Sequence, residues 1–298
     1  MKSPMVKGYL LALLGIFILS PDALLIRLLG DDPLQISVYR GILAGAMVLV
    51  YNQFLDRRSL YAQLAPVGAF WVLLTSIVVG VSQLGFVFGI SNANVTDVLV
   101  IIAFAPLASA FMSALFLGEK VTLLTWVATL VCGIGLAILF GQAGSDSSWF
   151  GLASATVCAL TIAGQFVLMR SFPKENMTAC MGFGYILAGI VCVFLATDLT
   201  LESHQYLPLF LMTVIVAPIP FVLFILSLRY ISAAETSLIM LLESILGTFW
   251  VWLVISEQPS LQTTLAGTLV IGTLIIYSAL SLSNDAKNNK KNEANDAT

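Results

Sequence analysis

The chain has 298 residues, of which 59% are hydrophobic and only 10% are charged. Its formal net charge is −3, and its 13 basic side chains form no stripe that could neutralise the phosphates of a nucleic acid. A mean hydropathy of +0.99 excludes an ordinary soluble domain, so the composition predicts a protein that spans a membrane.

Ten apolar runs in the chain are long enough, at about 20 residues each, to cross the roughly 30 Å core of a bilayer. Short turns that carry Gly, Pro or charged residues separate these runs, and no turn could hold a soluble domain. We therefore predict an all-α membrane protein with ten transmembrane helices. In chain order they are Tyr9–Leu28, Leu34–Phe54, Val67–Ile90, Asn94–Leu117, Leu123–Gly141, Trp149–Met169, Thr178–Ala196, Tyr206–Leu228, Ala233–Ile255 and Thr263–Leu282.

The two ends of the chain are interpreted from their composition. The first run resembles a signal peptide up to Ala23, but it stays apolar through Ile26 and reaches a full spanning length, so we predict a retained helix. Residues 283–298 are mostly Asn, Lys, Asp and Ala and contain no bulky apolar side chain, which predicts a disordered polar tail.

The distribution of Lys and Arg predicts the orientation in the membrane. With a cytoplasmic N-terminus, eleven of the thirteen Lys and Arg lie in cytoplasmic loops or termini, and the outer loops contain none. We therefore expect both the N-terminus and the C-terminus in the cytoplasm.

The two halves of the chain show weak internal similarity, which is common in transporters. Each half contains five predicted helices. Because a unit with an odd number of spans ends on the opposite side of the membrane, the second copy enters in the inverted orientation. The predicted units are residues 1–142 and 143–282, and the polar tail follows them. Aligned pairs include Asp97 with Glu235, Glu119 with Glu257 and, at a different shift, Asp22 with Gln165.

Several short motifs recur in the two halves. They are Asn94–Asp97, Ala105–Ala108 and Leu115–Lys120 in the first half, and Ala233–Glu235, Leu242–Ser244 and Glu257 in the second. Together they resemble the EamA repeat of the drug/metabolite transporter superfamily, although Ser244 stands where the second copy usually carries proline. The resemblance covers nearly the whole chain. It implies a ten-helix transporter of small metabolites in a bacterial inner (plasma) membrane, with a central cavity between two inverted halves.

Three charged residues lie well inside the predicted helices, away from the helix ends, where each lone charge costs at least about 2.5–3.5 kcal/mol. Glu243 lies in the middle of its helix and is either a proton or substrate site facing a cavity or a protonated contact between helices. Asp22 follows Pro21, which is expected to break the first helix. Asp22 either lines a cavity or neutralises Arg27 or Arg40, and we predict that it contacts Arg40. The planar fork of Arg40 suits a carboxylate or phosphate, either that of Asp22 or one of a substrate.

Four further residues are candidates for binding a substrate or a proton. The side chains of Gln83 and Gln165 can both donate and accept hydrogen bonds. Asp97 is expected mainly as a first-turn acid that complements a helix dipole. Phe86 and Trp250 are expected at lipid-facing or interfacial positions. Trp250 could instead face inward, and in that case it is a candidate for binding the substrate. Glu119 and Glu257 are expected to be caps or loop anchors.

The predicted function is secondary transport by alternating access. We expect export of an amino acid or a similar small polar metabolite, and Glu243 or Asp22 is the candidate proton site. Import of a small metabolite, a channel and a lipid flippase are the alternatives. An enzyme is not expected, because neither GxxxxGK[ST] nor HExxH occurs and His204 is the single histidine. No catalytic, cofactor or metal site is predicted. The expected partners are a small-molecule substrate and the lipid bilayer, in a monomer or homodimer.

Overall fold

The computed structural model describes residues 4–30, 32–117, 123–140, 147–172, 175–227, 242–273 and 275–277, together with residues 230, 239 and 280. Within these residues, five helical segments of 21 to 24 residues are long and apolar enough to cross a membrane. Five shorter apolar helices accompany them. The chain is a multi-pass α-helical membrane protein.

Fifteen helices are numbered in chain order. The first nine are α1 (Pro4–Leu19), α2 (Asp22–Leu29), α3 (Pro33–Tyr39), α4 (Gly45–Leu55), α5 (Leu60–Leu64), α6 (Ala69–Asn92), α7 (Val95–Ile102), α8 (Ala105–Leu117) and α9 (Leu123–Phe140). The others are α10 (Trp149–Arg170), α11 (Thr178–Val193), α12 (Tyr206–Phe210), α13 (Pro218–Ser227), α14 (Leu242–Ile255) and α15 (Leu261–Tyr277). Most of the residues predicted to begin the ninth helix, 233–238, 240 and 241, lie outside the described residues, as do Gly141 and Leu282.

Prolines interrupt two of the predicted helices in the first half. α1 ends at Leu19 and α2 begins at Asp22, so the expected break at Pro21 is present. The predicted continuous helix Asn94–Leu117 instead runs as α7 and α8, because the nitrogen of Pro106 has no hydrogen for the helical bond to residue 102. Such breaks are tolerated at membrane depth where neighbouring elements satisfy the freed backbone groups.

Two segments of π-helix were not predicted from the sequence. Arg40–Ala44 joins α3 to α4, and Leu211–Val216 follows α12 and precedes the proline at the start of α13. A π segment inserts an extra residue into a helix turn and is found mostly at functional sites. Periodicity of hydropathy does not reveal it, because one extra residue barely shifts the apolar pattern.

The centre of the bundle is built on α6, which packs along both α10 and α11. Small residues allow these helices to approach closely. A Cβ atom added to Gly41 would lie 2.6 Å from the Cα of Gly189 on α11. A Cβ atom added to Gly85 on α6 would lie 2.8 Å from the carbonyl oxygen of Ser154 on α10. Backbone contacts of this kind hold the helices that carry the polar residues described below.

Hydrogen bonds connect five loops at one end of the bundle, which we call the Glu257 end. These loops follow α2, α6, α9, α11 and α14. The bonds that link them join Gln205 to Leu29, Arg27 to Ala93, Ser148 to Asn92, Asn94 to Ser147, and Asp97 to Thr263. At the opposite end, which we call the Asn176 end, Asn52, Gln63 and Asn176 are bonded to one another.

Candidate functional site

Asp22 and Arg40 form a buried ion pair inside the bundle. Nη1 of Arg40 lies 2.5 Å from Oδ1 of Asp22, and Nη2 lies 2.7 Å from Oδ2. Each side chain is only 4% exposed. Two parallel bonds between a guanidinium and a carboxylate are stronger and more directional than a single contact. The contact predicted between these two residues is therefore present, and Arg40 rather than Arg27 is the partner of Asp22.

Both members of the pair lie at irregular points of their helices. Asp22 is the first residue of α2, directly after the break at Pro21, where a carboxylate complements the helix dipole. Arg40 is the first residue of the π segment Arg40–Ala44. The pair thus joins the break in the first membrane span to the π segment in the second.

Aromatic rings surround the guanidinium of Arg40. The ring of Phe86 on α6 has its centroid 5.3 Å from Cζ of Arg40, and the ring of Tyr185 on α11 has its centroid 5.8 Å away. A cation over an aromatic face is stabilised by the ring quadrupole. The expectation that Phe86 lies in a lipid-facing or interfacial position was wrong, because attraction to a buried cation outweighs the general tendency of aromatic residues in membrane helices.

Glu243 brings a second carboxyl group to the ion pair. It lies on α14, its side chain is half-buried, and its charge interacts with those of Asp22 and Arg40. The neighbouring Ser244 donates from Oγ to the carbonyl oxygen of Leu99 at 3.0 Å and so attaches α14 to α7. Among the groups that the structure describes, the site therefore contains two carboxyls and one guanidinium.

Trp250 faces the break in the first span. Its Nε1 donates to Oγ of Ser20 at 2.9 Å, and its ring meets that of Phe17 edge to face at 6.2 Å. Ser20 immediately precedes Pro21, so Trp250 contacts the segment that positions Asp22. The inward-facing alternative for Trp250 is the one that the structure contains.

The two glutamines of the candidate list occupy neighbouring helices. Gln83 on α6 is 3% exposed, and neither Nε2 nor Oε1 of its side chain has a hydrogen-bond partner in the part of the chain that the structure describes. Gln165 is buried on α10, which packs along α6. Gln83 and Gln165 are therefore two buried amides on helices that pack along each other.

Asp97 lies at the Glu257 end and is almost fully buried. Its Oδ2 accepts a bond from Oγ of Ser147 at 2.6 Å, and its Oδ1 accepts one from Oγ1 of Thr263 at 2.6 Å. Each carboxylate oxygen is therefore bonded to a hydroxyl from a different segment, Ser147 before α10 and Thr263 in the first turn of α15. These bonds give Asp97 a structural role, while its repeat partner Glu235 lies outside the described residues.

Glu257 anchors a loop, as expected, and its partner Arg27 was not foreseen. Oε1 of Glu257 accepts the backbone N–H of Val95, the first residue of α7, at 2.8 Å. Its Oε2 lies 3.7 Å from Nε of Arg27, whose Nη2 donates to the carbonyl oxygen of Ala93 at 2.6 Å. The equivalent residue Glu119 lies outside the described residues. Sequence reasoning missed this pair because its members are 230 positions apart.

The Asn176 end has a polar cluster of its own, at the end of the span Pro33–Leu55 and in the segments beyond it. Asn52 donates to Oε1 of Gln63 at 2.9 Å, and Asn176 donates to Oδ1 of Asn52 at 2.9 Å. Nearby, Arg58 donates hydrogen bonds from Nε and Nη2 to the carboxylate of Asp56. These hydrogen bonds lower the pKa of the Asp56 carboxyl to about 2.

These features define a membrane protein with a charged site between its helices, and comparison with known proteins defines its family. The EamA-like transporter family model matches residues 6–141 and 149–279. The chain belongs to the EamA-like transporter family, as the sequence motifs indicated.

Two curated relatives are named S-adenosylmethionine uptake transporter. The one from Rickettsia bellii is 25% identical over 215 residues, which cover 69% of this chain and 72% of the relative. The one from Rickettsia felis is 26% identical over 216 residues, which cover 69% and 71%. A crystal structure of another protein matches with a TM-score of 0.65 and 18% identity, over 93% of this chain and 96% of that chain. That similarity establishes the fold alone.

Proposed function

We propose that the chain is a secondary transporter that moves a small zwitterionic metabolite across the membrane by alternating access, with Asp22, Arg40 and Glu243 at its binding site. The observation that carries the proposal is the buried Asp22–Arg40 pair, with whose charges the half-buried Glu243 interacts. Charges placed inside a membrane bundle are costly and are typical of substrate or ion pathways. Membership of a transporter family supports the same conclusion.

The charges of the site suggest how transport is coupled. Asp22 and Arg40 neutralise each other, which leaves the Glu243 carboxyl in need of a proton or a cationic group. An empty site then holds a proton on Glu243, and a loaded site holds a cationic group of the substrate there. Because one carboxyl cannot hold both, substrate and proton exchange for each other.

S-adenosylmethionine is the first substrate to test, since the two relatives are named for its uptake. The molecule carries a carboxylate together with an ammonium and a sulfonium group. Its cationic groups suit Glu243, and its carboxylate suits the guanidinium of Arg40, which Asp22 holds in place. An amino acid would present the same ammonium and carboxylate on a smaller scaffold.

We further propose that the fold comprises ten spans in two inverted five-helix repeats, residues 1–142 and 143–282, followed by the polar tail 283–298. The family match in two separate stretches supports two repeats. The distribution of Lys and Arg supports cytoplasmic termini, in a bacterial inner membrane. In this orientation the Glu257 end faces outward and the Asn176 end faces the cytoplasm.

The sequence analysis and the names of the relatives disagree on the direction of net transport. The sequence analysis favoured export, whereas the names of the relatives favour uptake. We propose uptake for this chain, because those names are the one specific observation on direction. In a carrier, the gradients of substrate and coupling ion set the direction of net flux.

Counterflow in proteoliposomes tests the proposal. Vesicles that contain purified protein are preloaded with unlabelled S-adenosylmethionine and diluted into a trace of labelled substrate. A carrier accumulates label transiently, and an imposed pH gradient changes the amount accumulated. Glu243→Gln should retain exchange but lose the response to pH, because glutamine mimics the protonated carboxyl. Label that merely equilibrates would indicate a channel, and label that never enters would exclude this substrate.

A further inference from the structure

Two buried polar groups beside the ion pair have no hydrogen-bond partner among the described residues. They are the carboxamide of Gln83, with both Nε2 and Oε1, and the Nε–H of Arg40. Gln83 is 3% exposed and Arg40 is 4% exposed. An unpaired polar group in the interior costs free energy comparable to a lost hydrogen bond. These atoms therefore require a partner that the described residues do not provide.

Residues of α6 on both sides of Gln83 meet the surroundings of the ion pair. Gln83 is three residues before Phe86, whose ring lies over the Arg40 guanidinium. It is three residues after Gly80, where an added Cβ would lie 2.9 Å from the carbonyl oxygen of Gly184, the neighbour of Tyr185. Residues three apart share a helix face. Gln83 thus lies on the face of α6 that meets Arg40 and Tyr185.

We propose that Gln83 and Nε of Arg40 bind a neutral, planar group of the transported molecule that presents a hydrogen-bond donor next to an acceptor. Nε2 of Gln83 donates and Oε1 accepts, while Nε of Arg40 donates only. The complementary ligand has a donor next to an acceptor, and a second lone pair of that acceptor or a second acceptor can take the Nε–H of Arg40. An aminopurine edge and a primary amide both have this pattern. The inference deepens the proposed function and rests on it, because it assigns specificity to the same site.

Gln63 provides a matched comparison within the chain. It is fully buried like Gln83, but its side chain accepts a bond from Asn52 at 2.9 Å and donates to the carbonyl oxygen of Arg58 at 2.8 Å. A glutamine that serves structure is satisfied in this way. Replacing Gln63 by Met leaves its partners unpaired, whereas replacing Gln83 by Met removes two unsatisfied atoms at similar volume.

The first test measures thermal unfolding of purified, ligand-free protein. Gln83→Met is expected to unfold at the same temperature as the wild type or a higher one, and Gln63→Met at a lower one. Removal of buried polar atoms that await a ligand stabilises the empty protein, as is common at functional sites. If Gln83→Met loses as much stability as Gln63→Met, the Gln83 amide has a structural partner and the proposal is overturned.

The second test measures ligand-induced stabilisation with two pairs of probes. Adenosine is compared with purine riboside, which lacks the exocyclic amine, and glutamine is compared with methionine, which lacks the amide. In at least one pair, the wild type should bind the probe that carries the amine or amide at least about tenfold more tightly than the probe that lacks it. Gln83→Met should abolish this difference. The pair that discriminates distinguishes a purine from an amide.

Each failure has a distinct signature. Discrimination by Gln83 without counterflow of S-adenosylmethionine would preserve this inference and overturn the proposed substrate. Normal counterflow without any discrimination between the paired probes, or with the same discrimination in Gln83→Met, would overturn the inference and preserve the transporter. Failure of all four probes to bind the wild type would likewise overturn it.

Discussion

Arg40 holds Asp22 by two parallel hydrogen bonds of 2.5 and 2.7 Å, and through them the π segment of the second span is fastened to the broken first span. The same guanidinium lies over Phe86 of α6 and Tyr185 of α11. One cation thus connects four membrane segments. A movement of the first span relative to α6 or α11 would have to change the surroundings of this pair.

Asp22→Asn should therefore destabilise the protein strongly. Removing one member of a buried ion pair leaves an uncompensated charge and costs roughly 3–5 kcal/mol. Arg40→Lys keeps the charge but loses the planar fork, so its loss of stability should be smaller. Thermal unfolding in detergent measures both. Arg58→Lys is the control, because its bidentate partner Asp56 forms an exposed pair that should contribute little. Wild-type stability of Asp22→Asn would argue against the pair.

Glu243→Gln should remove the response of net transport to pH in assays near neutral pH, because glutamine cannot gain or lose a proton there. Asp56→Asn is the control. Because the folded pKa of Asp56 is lowered to about 2, its stabilising bonds are complete above its unfolded pKa and are lost only as the pH falls through about 2. It therefore does not titrate in the assay range. Flux against pH in vesicles should separate the two variants, and identical profiles for wild type and Glu243→Gln would return Glu243 to a structural role.

Glu257→Gln should loosen the Glu257 end while keeping the cap on α7. The amide oxygen can still accept the N–H of Val95, but the charge that attracts Arg27 is lost. A cysteine introduced at Ser20, which is buried behind this end, should then react several-fold faster with an impermeant maleimide added outside. The reaction of the variant without the introduced cysteine sets the background. An unchanged rate would show that the ion pair does not restrain opening.

Gly41→Ala should lower stability by about 1–3 kcal/mol, since the new methyl group would overlap the backbone of Gly189, which cannot move aside cheaply. Gly133→Ala is the matched control. An added Cβ at Gly133 meets nothing within 4 Å among the described residues, and alanine is the better helix former. Its unfolding temperature should stay equal or rise slightly. Equal losses for both variants would indicate that the close approach of Gly41 to Gly189 does not cause the effect.

A green fluorescent protein fused after Thr298 should be bright, because it folds in the cytoplasm and the basic residues predict a cytoplasmic C-terminus. A reporter that is active only after export, fused at the same position, is the complementary control. A dark cytoplasmic reporter together with an active exported one would reverse the orientation and would place the Asn176 end outside.

The membrane class, the helical spans and the expectation of an Asp22–Arg40 contact follow from the sequence alone. Apolar runs of spanning length indicate membrane helices, and Pro21 interrupts the backbone hydrogen bonding of one of them. Two lone charges in hydrocarbon each need a partner. These properties are local or require only counting. The family motifs could be recognised because they are short stretches that are read locally in the sequence.

The tertiary structure decided which groups meet. The pairing of Arg27 with Glu257, the rings around Arg40 and the presence of a π segment at Arg40 depend on how helices distant in sequence pack together. Hydropathy records the depth of a residue but not the direction in which it faces. Gln63 and Gln83 are both buried glutamines, yet only the packing around them satisfies one and leaves the other, within the described residues, without a hydrogen-bond partner.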